Sequence, residues 1–125
     1  MNITHTLREF GARHGRQDLA LPSGGAVDLS IGDMPLTLQE VGEELLMLTG
    51  FPAPFLEGQR LAAILKSCEQ RAARPDEPGV QVGTRGEASE LWLIAALRWP
   101  AASLSAAQLE RGAQSLLRFR QDWRP

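Results

Sequence analysis

The segment from Glu90 to Trp99, ELWLIAALRW, constrains the fold more than any other part of the chain. Successive side chains of a strand point to opposite faces, and here both faces are apolar. One face carries Leu91, Leu93, Ala95, Leu97 and Trp99, and the other carries Trp92, Ile94 and Ala96. A sheet that is covered by helices on one side needs only one apolar face. The second apolar face therefore predicts a second cover, which in a chain this short we expect to be another protein chain.

The bulk properties describe one ordinary domain, which we place at residues 1–125. A formal net charge of −2 argues against nucleic acid as a partner, because phosphate binding depends on clustered Lys and Arg. The single cysteine, Cys68, excludes an intramolecular disulfide and favours a reducing compartment. The N-terminal sequence MNITHTLREF has no long apolar run, so we expect a cytoplasmic protein without a membrane segment.

Periodicity and turn residues predict the element order α-β-β-β-α-β-β-α. The expected helices lie at about residues 2–14, 55–73 and 106 onward, and the expected strands at about 27–31, 36–41, 44–51, 80–82 and 90–99. Pro54 is expected in the first turn of the second helix, and a capping box at Ser105 begins the third. The buried face of the second helix is predicted to hold Leu61, Leu65, Cys68 and Ala72. The fold class is α+β, a single domain with a twisted antiparallel sheet and helices packed on it, assembled as a dimer.

Residue types that carry chemistry are present, but their spacing indicates structural roles. His5 and His14 lie nine positions apart on the first helix, too far to bind one metal ion, and surface or edge roles are expected for them. Cys68 falls on the buried face of its helix and is interpreted as packing. The glutamates of the second hairpin are interpreted as solvated charge at the edge of the sheet. We therefore expect no catalytic residue, no cofactor and no metal site.

Five segments together resemble the class I chaperones of type III secretion, the Tir chaperone (CesT/SycE-like) family. They are the opening helix THTLREFGARHG, the meander VDLSIGDMPLTLQEVGEELLMLTGF, the central helix FLEGQRLAAILKSCEQRA, the strand ELWLIAALRW and the closing helix LSAAQLERGAQSLLRFRQDW. The resemblance covers nearly the whole chain. It is a resemblance of pattern, because this family has no catalytic motif to match.

The resemblance implies a cytoplasmic dimer that holds an extended segment of a secreted effector or gatekeeper protein, without ATP and without catalysis. The implied effector-binding residues are Leu7, Phe10, Leu36, Leu38, Leu46 and Leu48. The implied dimer residues are Leu56, Ala63, Leu65, Val80, Val82 and Trp92. The segment PGVQVG is a short, glycine-flanked version of the family's fourth strand. Some family members pair with a different small chaperone, so a heterodimer is the alternative to a homodimer.

Two other classes of function remain open on the sequence alone. The first is a small α+β enzyme or ligand-binding domain whose apolar face lines a pocket, which requires convergent polar groups inside that pocket. The second is a structural subunit of a larger assembly.

Overall fold

The structure is a computed structural model, and it describes residues 3–22, 25–72 and 79–124. The helices are α1 (Thr4–Arg13), α2 (Gly58–Ala72) and α3 (Ala106–Trp123). The strands are β1 (Ala26–Ile31), β2 (Met34–Val41), β3 (Glu44–Pro52), β4 (Gln81–Arg85) and β5 (Trp92–Pro100). Short 3-10 turns lie at Ala88–Glu90 and Ala101–Ser103. The predicted element order and the α+β class with one antiparallel sheet are confirmed, and the dimer stays a prediction.

The strands form one antiparallel sheet in the order β1-β2-β3-β5-β4. β1, β2 and β3 form the expected meander, joined by tight turns at Gly32 and Gly42. Both glycines have positive φ, at 62° and 60°, a conformation that costs a residue with a side chain more than it costs glycine. β5 lies between β3 and β4, so the doubly apolar segment is an interior strand.

One face of the sheet, the core face, is covered by helices. Alternate residues of the three central strands are buried there, including Leu36 of β2, Met47 of β3 and Leu97 of β5. α3 packs closely on this face: a Cβ added at Gly112 would lie 2.5 Å from a ring carbon of Trp99. The predicted capping box of α3 is present, since the Ser105 hydroxyl accepts from the Gln108 N–H at 3.2 Å.

α2 differs from its prediction in two ways. The helix begins at Gly58, so Pro54 lies in a preceding turn and not in the first helical turn. Its buried side chains are Ile64 and Cys68, whereas Leu65 is 44% exposed. At 100° per residue, a face centred on Ile64 and Cys68 leaves Leu65 to one side. The side chain of Ala72 lies outside the described residues, as do parts of the predicted turns at 22–25 and 75–79.

Candidate protein-binding surfaces

The face of the sheet opposite the core face, here called the open face, retains an apolar stripe. It is built from alternate residues of the two central strands: Leu46, Leu48 and Gly50 of β3, and Trp92, Ile94 and Ala96 of β5. The leucines, Ile94 and Ala96 are half-buried, and Trp92 is 43% exposed. In the described part of the chain, none of these side chains is fully buried by a helix. This arrangement matches the second apolar face that the sequence of β5 predicts.

Strand register arranges the stripe in rows. Leu48 lies opposite Ala96, Gly50 opposite Ile94, and Pro52 opposite Trp92. Gly50 has no side chain, and a Cβ there would lie 2.7 Å from Cδ1 of Ile94. Ile94 therefore leans over the glycine backbone and covers this row.

Beside this row, β2 and β3 separate. Their pairing extends from Val41 opposite Glu44 to Thr37 opposite Leu48 and then ends. The next residues of β2 include Pro35, which has no N–H to continue the ladder. Its carbonyl instead accepts from the Thr49 hydroxyl at 2.7 Å. The result is an open concavity of about 570 Å³ that reaches from Pro35 across the sheet to Trp92.

Charged residues mark the two ends of the stripe. Arg85 and Glu90 line the concavity beside Trp92. At the other end Arg98 and Glu44 form an exposed ion pair at 3.5 Å. Exposed pairs of this kind contribute little to stability.

The structure corrects the prediction of which residues line an effector groove. Four of the six belong to the core, with exposed fractions of 1% or less: Leu7, Phe10, Leu36 and Leu38. Only Leu46 and Leu48 lie on the open face. Leu38 is paired with Met47 and not with Leu48, so it points to the opposite side of the sheet from Leu48.

The residues expected at a dimer surface do not form one patch. Ala63 and Leu65 are exposed on α2, and Leu56 is half-buried before that helix. Val80 is buried, which corrects the expectation that it is available to a partner, whereas Val82 is half-buried on the edge strand β4. Trp92 lies on the open face two rows from Leu48, which the resemblance assigned to effector binding. The structure therefore places on one face residues that the resemblance assigned to two different surfaces.

A second concavity of about 200 Å³ lies at the start of α2. Phe51, Ile64, Leu93 and Trp123 supply its apolar walls. Phe55 stands at its edge and is 69% exposed. The backbone of Phe55 has φ of 54°, and a left-handed conformation costs a residue other than glycine about 1–2 kcal/mol. The sequence interpretation placed Phe55 inside the helix and missed this surface.

The other candidate residues have structural roles. Nε2 of His14 lies 2.7 Å from Oε2 of Glu110, so His14, for which a surface or edge role was expected, joins α1 to α3 at a partly buried position. Its ring also packs against Phe10, with centroids 5.0 Å apart. Cys68 is buried. Among residues 3–22, 25–72 and 79–124, no three His, Cys, Asp or Glu side chains are grouped as metal ligands.

Within the same residues, every helix is too short or too polar to cross a bilayer. No protein-family model matches the chain, and no curated protein matches it either. Solved structures do match in fold, and they cover almost the whole chain.

One similar structure is the Yersinia pestis type III secretion chaperone SycH in complex with a stable fragment of YscM2. The match has a TM-score of 0.77 at 16% identity, over 98% of this chain and 99% of that chain. A chain of the ExsC–ExsE complex matches with a TM-score of 0.71 at 23% identity, over 98% of this chain and 94% of that one. A chain of the HopA1–SchA chaperone–effector complex matches with a TM-score of 0.67 at 24% identity, over 96% and 91%. At these identities the likeness is one of fold, and the fold is that of class I secretion chaperones.

Proposed function

We propose that this protein is a cytoplasmic type III secretion chaperone of the Tir chaperone (CesT/SycE-like) family. In this proposal it holds an extended segment of a secreted effector or gatekeeper protein and keeps that protein competent for secretion. The observation that carries the proposal is the apolar stripe on the open face of a fold shared with chains of chaperone complexes. The proposal includes no catalysis and no cofactor.

The dimensions of the stripe suit an extended polypeptide. From Trp92 to Arg98 β5 advances six residues, which is about 20 Å at 3.4 Å per residue. A bound segment of similar length would place every second side chain against Leu48, Ile94 or Trp92. The concavity between Pro35 and Trp92 has room for one larger side chain.

The chemistry of the stripe supports reversible holding. Burial of apolar area contributes about 25 cal/mol per Å², so a few partner side chains contribute several kcal/mol before the cost of ordering the segment. Charged groups at the two ends would fix the register of the segment, because an apolar residue placed there would desolvate Arg85 or Glu44. Each contact is weak by itself, so a secretion machine could remove the segment stepwise.

Copurification tests the proposal. The tagged protein is purified from the bacterium that encodes it, under conditions that induce secretion, and bound proteins are identified by mass spectrometry. We expect one secreted protein, held through a segment that limited proteolysis leaves intact. Leu48→Asp should lose this protein. Val41→Asp, the matched control at a half-exposed valine of the β2–β3 hairpin, should retain it.

Two results would contradict the proposal. One is a wild-type protein that captures no secreted protein under inducing conditions. The other is a tightly bound metabolite in native mass spectrometry, which would favour the ligand-binding alternative.

A further inference from the structure

The backbone of Gly50 has a donor and an acceptor that β2 leaves unpaired. In an antiparallel sheet, successive residues of an interior strand direct their N–H and C=O alternately to one neighbouring strand and to the other. A two-residue turn joins Val41 to Glu44, which makes these two a hydrogen-bonded pair. Every second residue of β3 after Glu44, including Leu48 and Gly50, therefore directs its N–H and C=O toward β2. The pairing of the two strands ends at Thr37 and Leu48, so these groups of Gly50 have no partner in β2.

Pro35 explains why the pairing ends there. It lies two residues before Thr37, at the position in β2 that would pair with Gly50. Pro35 has no N–H to donate to the Gly50 carbonyl. Its own carbonyl already accepts from the Thr49 hydroxyl at 2.7 Å. β2 therefore cannot complete the ladder at Gly50.

The unpaired groups of Gly50 lie at the concavity of about 570 Å³ on the open face, which Trp92 and Ile94 also line. Arg85 and Glu90 line it as well and are exposed, and their opposite charges favour neither an anion nor a cation as the occupant. A donor and an acceptor on one residue are the groups with which one residue of another extended chain pairs. The site therefore fits uncharged polypeptide backbone that carries an apolar side chain.

We propose that one residue of the extended segment held by this protein pairs with Gly50 through its own N–H and C=O, and that its large apolar side chain fills the concavity. The inference rests on the proposed function and adds a fixed point to it. Residues that pair across two strands place their side chains on the same face. The partner's side chain therefore lies on the open face, against Leu48 and Ile94. Pro35 keeps the position beside Gly50 free for the partner.

N-methylation of the partner's backbone tests the pairing. The probe is a synthetic peptide that covers the protected segment of the copurified secreted protein, and isothermal titration calorimetry measures its affinity. A methyl group on the nitrogen opposite Gly50 removes the N–H that donates to the Gly50 carbonyl. In a set of singly N-methylated peptides, we expect one position to lose about tenfold in affinity. Both adjacent positions should bind within about threefold of the unmodified peptide, because their N–H groups point away from Gly50.

Hydrogen exchange observes the same contact from the side of this chain. The amide of Gly50 is followed by NMR in the free protein and in the complex with the unmodified peptide. We expect its exchange with solvent to slow by about tenfold or more on binding, because the N–H gains a hydrogen-bond acceptor.

Pro35→Ala tests the role of the proline. The variant has an N–H at position 35 that can donate to the Gly50 carbonyl, so β2 competes with the partner for this position. It should fold, since Pro35 is exposed, and it should bind the unmodified peptide about tenfold more weakly. Pro100→Ala is the matched control at another exposed proline, which lies opposite Glu44 at the far end of the stripe, and it should bind as the wild type does.

Three results would each overturn the inference and leave the chaperone proposal intact. They are equal affinity for every N-methylated peptide, unchanged exchange of the Gly50 amide in the complex, and wild-type affinity in Pro35→Ala. If the wild-type protein captures no secreted protein, the chaperone proposal fails and this inference fails with it, so the two failures are distinguishable.

Discussion

Placing aspartate at Leu38 or at Leu48 should have opposite consequences, although the two leucines lie on neighbouring strands. Leu38 is on the core face and is fully buried. Loss of a buried leucine costs about 2–5 kcal/mol, and a buried carboxylate without a partner adds to this cost. The sum is comparable with the whole stability of a typical domain, which is about 5–15 kcal/mol. Leu38→Asp should therefore be largely unfolded.

Leu48 is half-buried on the open face, so an aspartate there keeps contact with water. We expect Leu48→Asp to lose about 1 kcal/mol of stability, roughly half the value of burying a leucine. In a complex the change removes about 1.5–3 kcal/mol of leucine burial, and desolvation of the carboxylate costs about 1–3 kcal/mol more. At 1.4 kcal/mol per factor of ten, affinity should fall by about a hundredfold or more.

Two measurements separate loss of stability from loss of binding. Urea denaturation, monitored by circular dichroism, measures stability. Isothermal titration calorimetry with the copurified secreted protein measures affinity. If Leu48→Asp unfolds as Leu38→Asp does, the open face is covered in the free protein and the reasoning fails. If Leu48→Asp folds and binds within threefold of the wild type, the stripe is not the binding surface.

Three further changes test the packing of the helices by urea denaturation. His14→Ala should lower the free energy of unfolding by about 1–2 kcal/mol, because Glu110 loses its 2.7 Å partner in a partly buried position. An unchanged denaturation midpoint would show that this pair is not stabilising. Gly112→Ala should lower the free energy of unfolding by about 1–3 kcal/mol, because the added methyl group would overlap the ring of Trp99. Full stability would contradict the close approach of α3 to the sheet. Cys68→Ala should cost about 1 kcal/mol and retain partner binding, whereas a folded variant without binding would show that the thiol has a role beyond packing.

The fold was predictable because local patterns agree with the tertiary arrangement. Alternating residues, paired with glycine turns at Gly32 and Gly42, determine the meander, and the capping box at Ser105 marks the start of α3. The start of α2 was less predictable. Pro54 is compatible with a first helical turn, but here the chain at Phe55 turns to meet the carbonyl of Ala88, a contact with a distant segment.

The candidate site was predictable only in part. Alternation divides each strand into two faces, but the turn determines which faces of neighbouring strands coincide. Val41 lies opposite Glu44, so Leu38 must face the same way as Met47. This register follows from a tight turn at Gly42, and applying it to the sequence would have separated Leu38 from Leu48. The exposed position of Phe55 has no such local signal.

Photo-crosslinking in the living bacterium tests the central claim most directly. A benzophenone amino acid is placed at Leu48 or Ile94 in the stripe, and at Val41 as a control on the same face beyond its Glu44 end. The account predicts that Leu48 and Ile94 crosslink one segment of a single secreted protein, and that Val41 does not. A secreted protein that crosslinks at Val41 but at neither stripe position would contradict it, as would crosslinks at the stripe that lead only to a second copy of this chain.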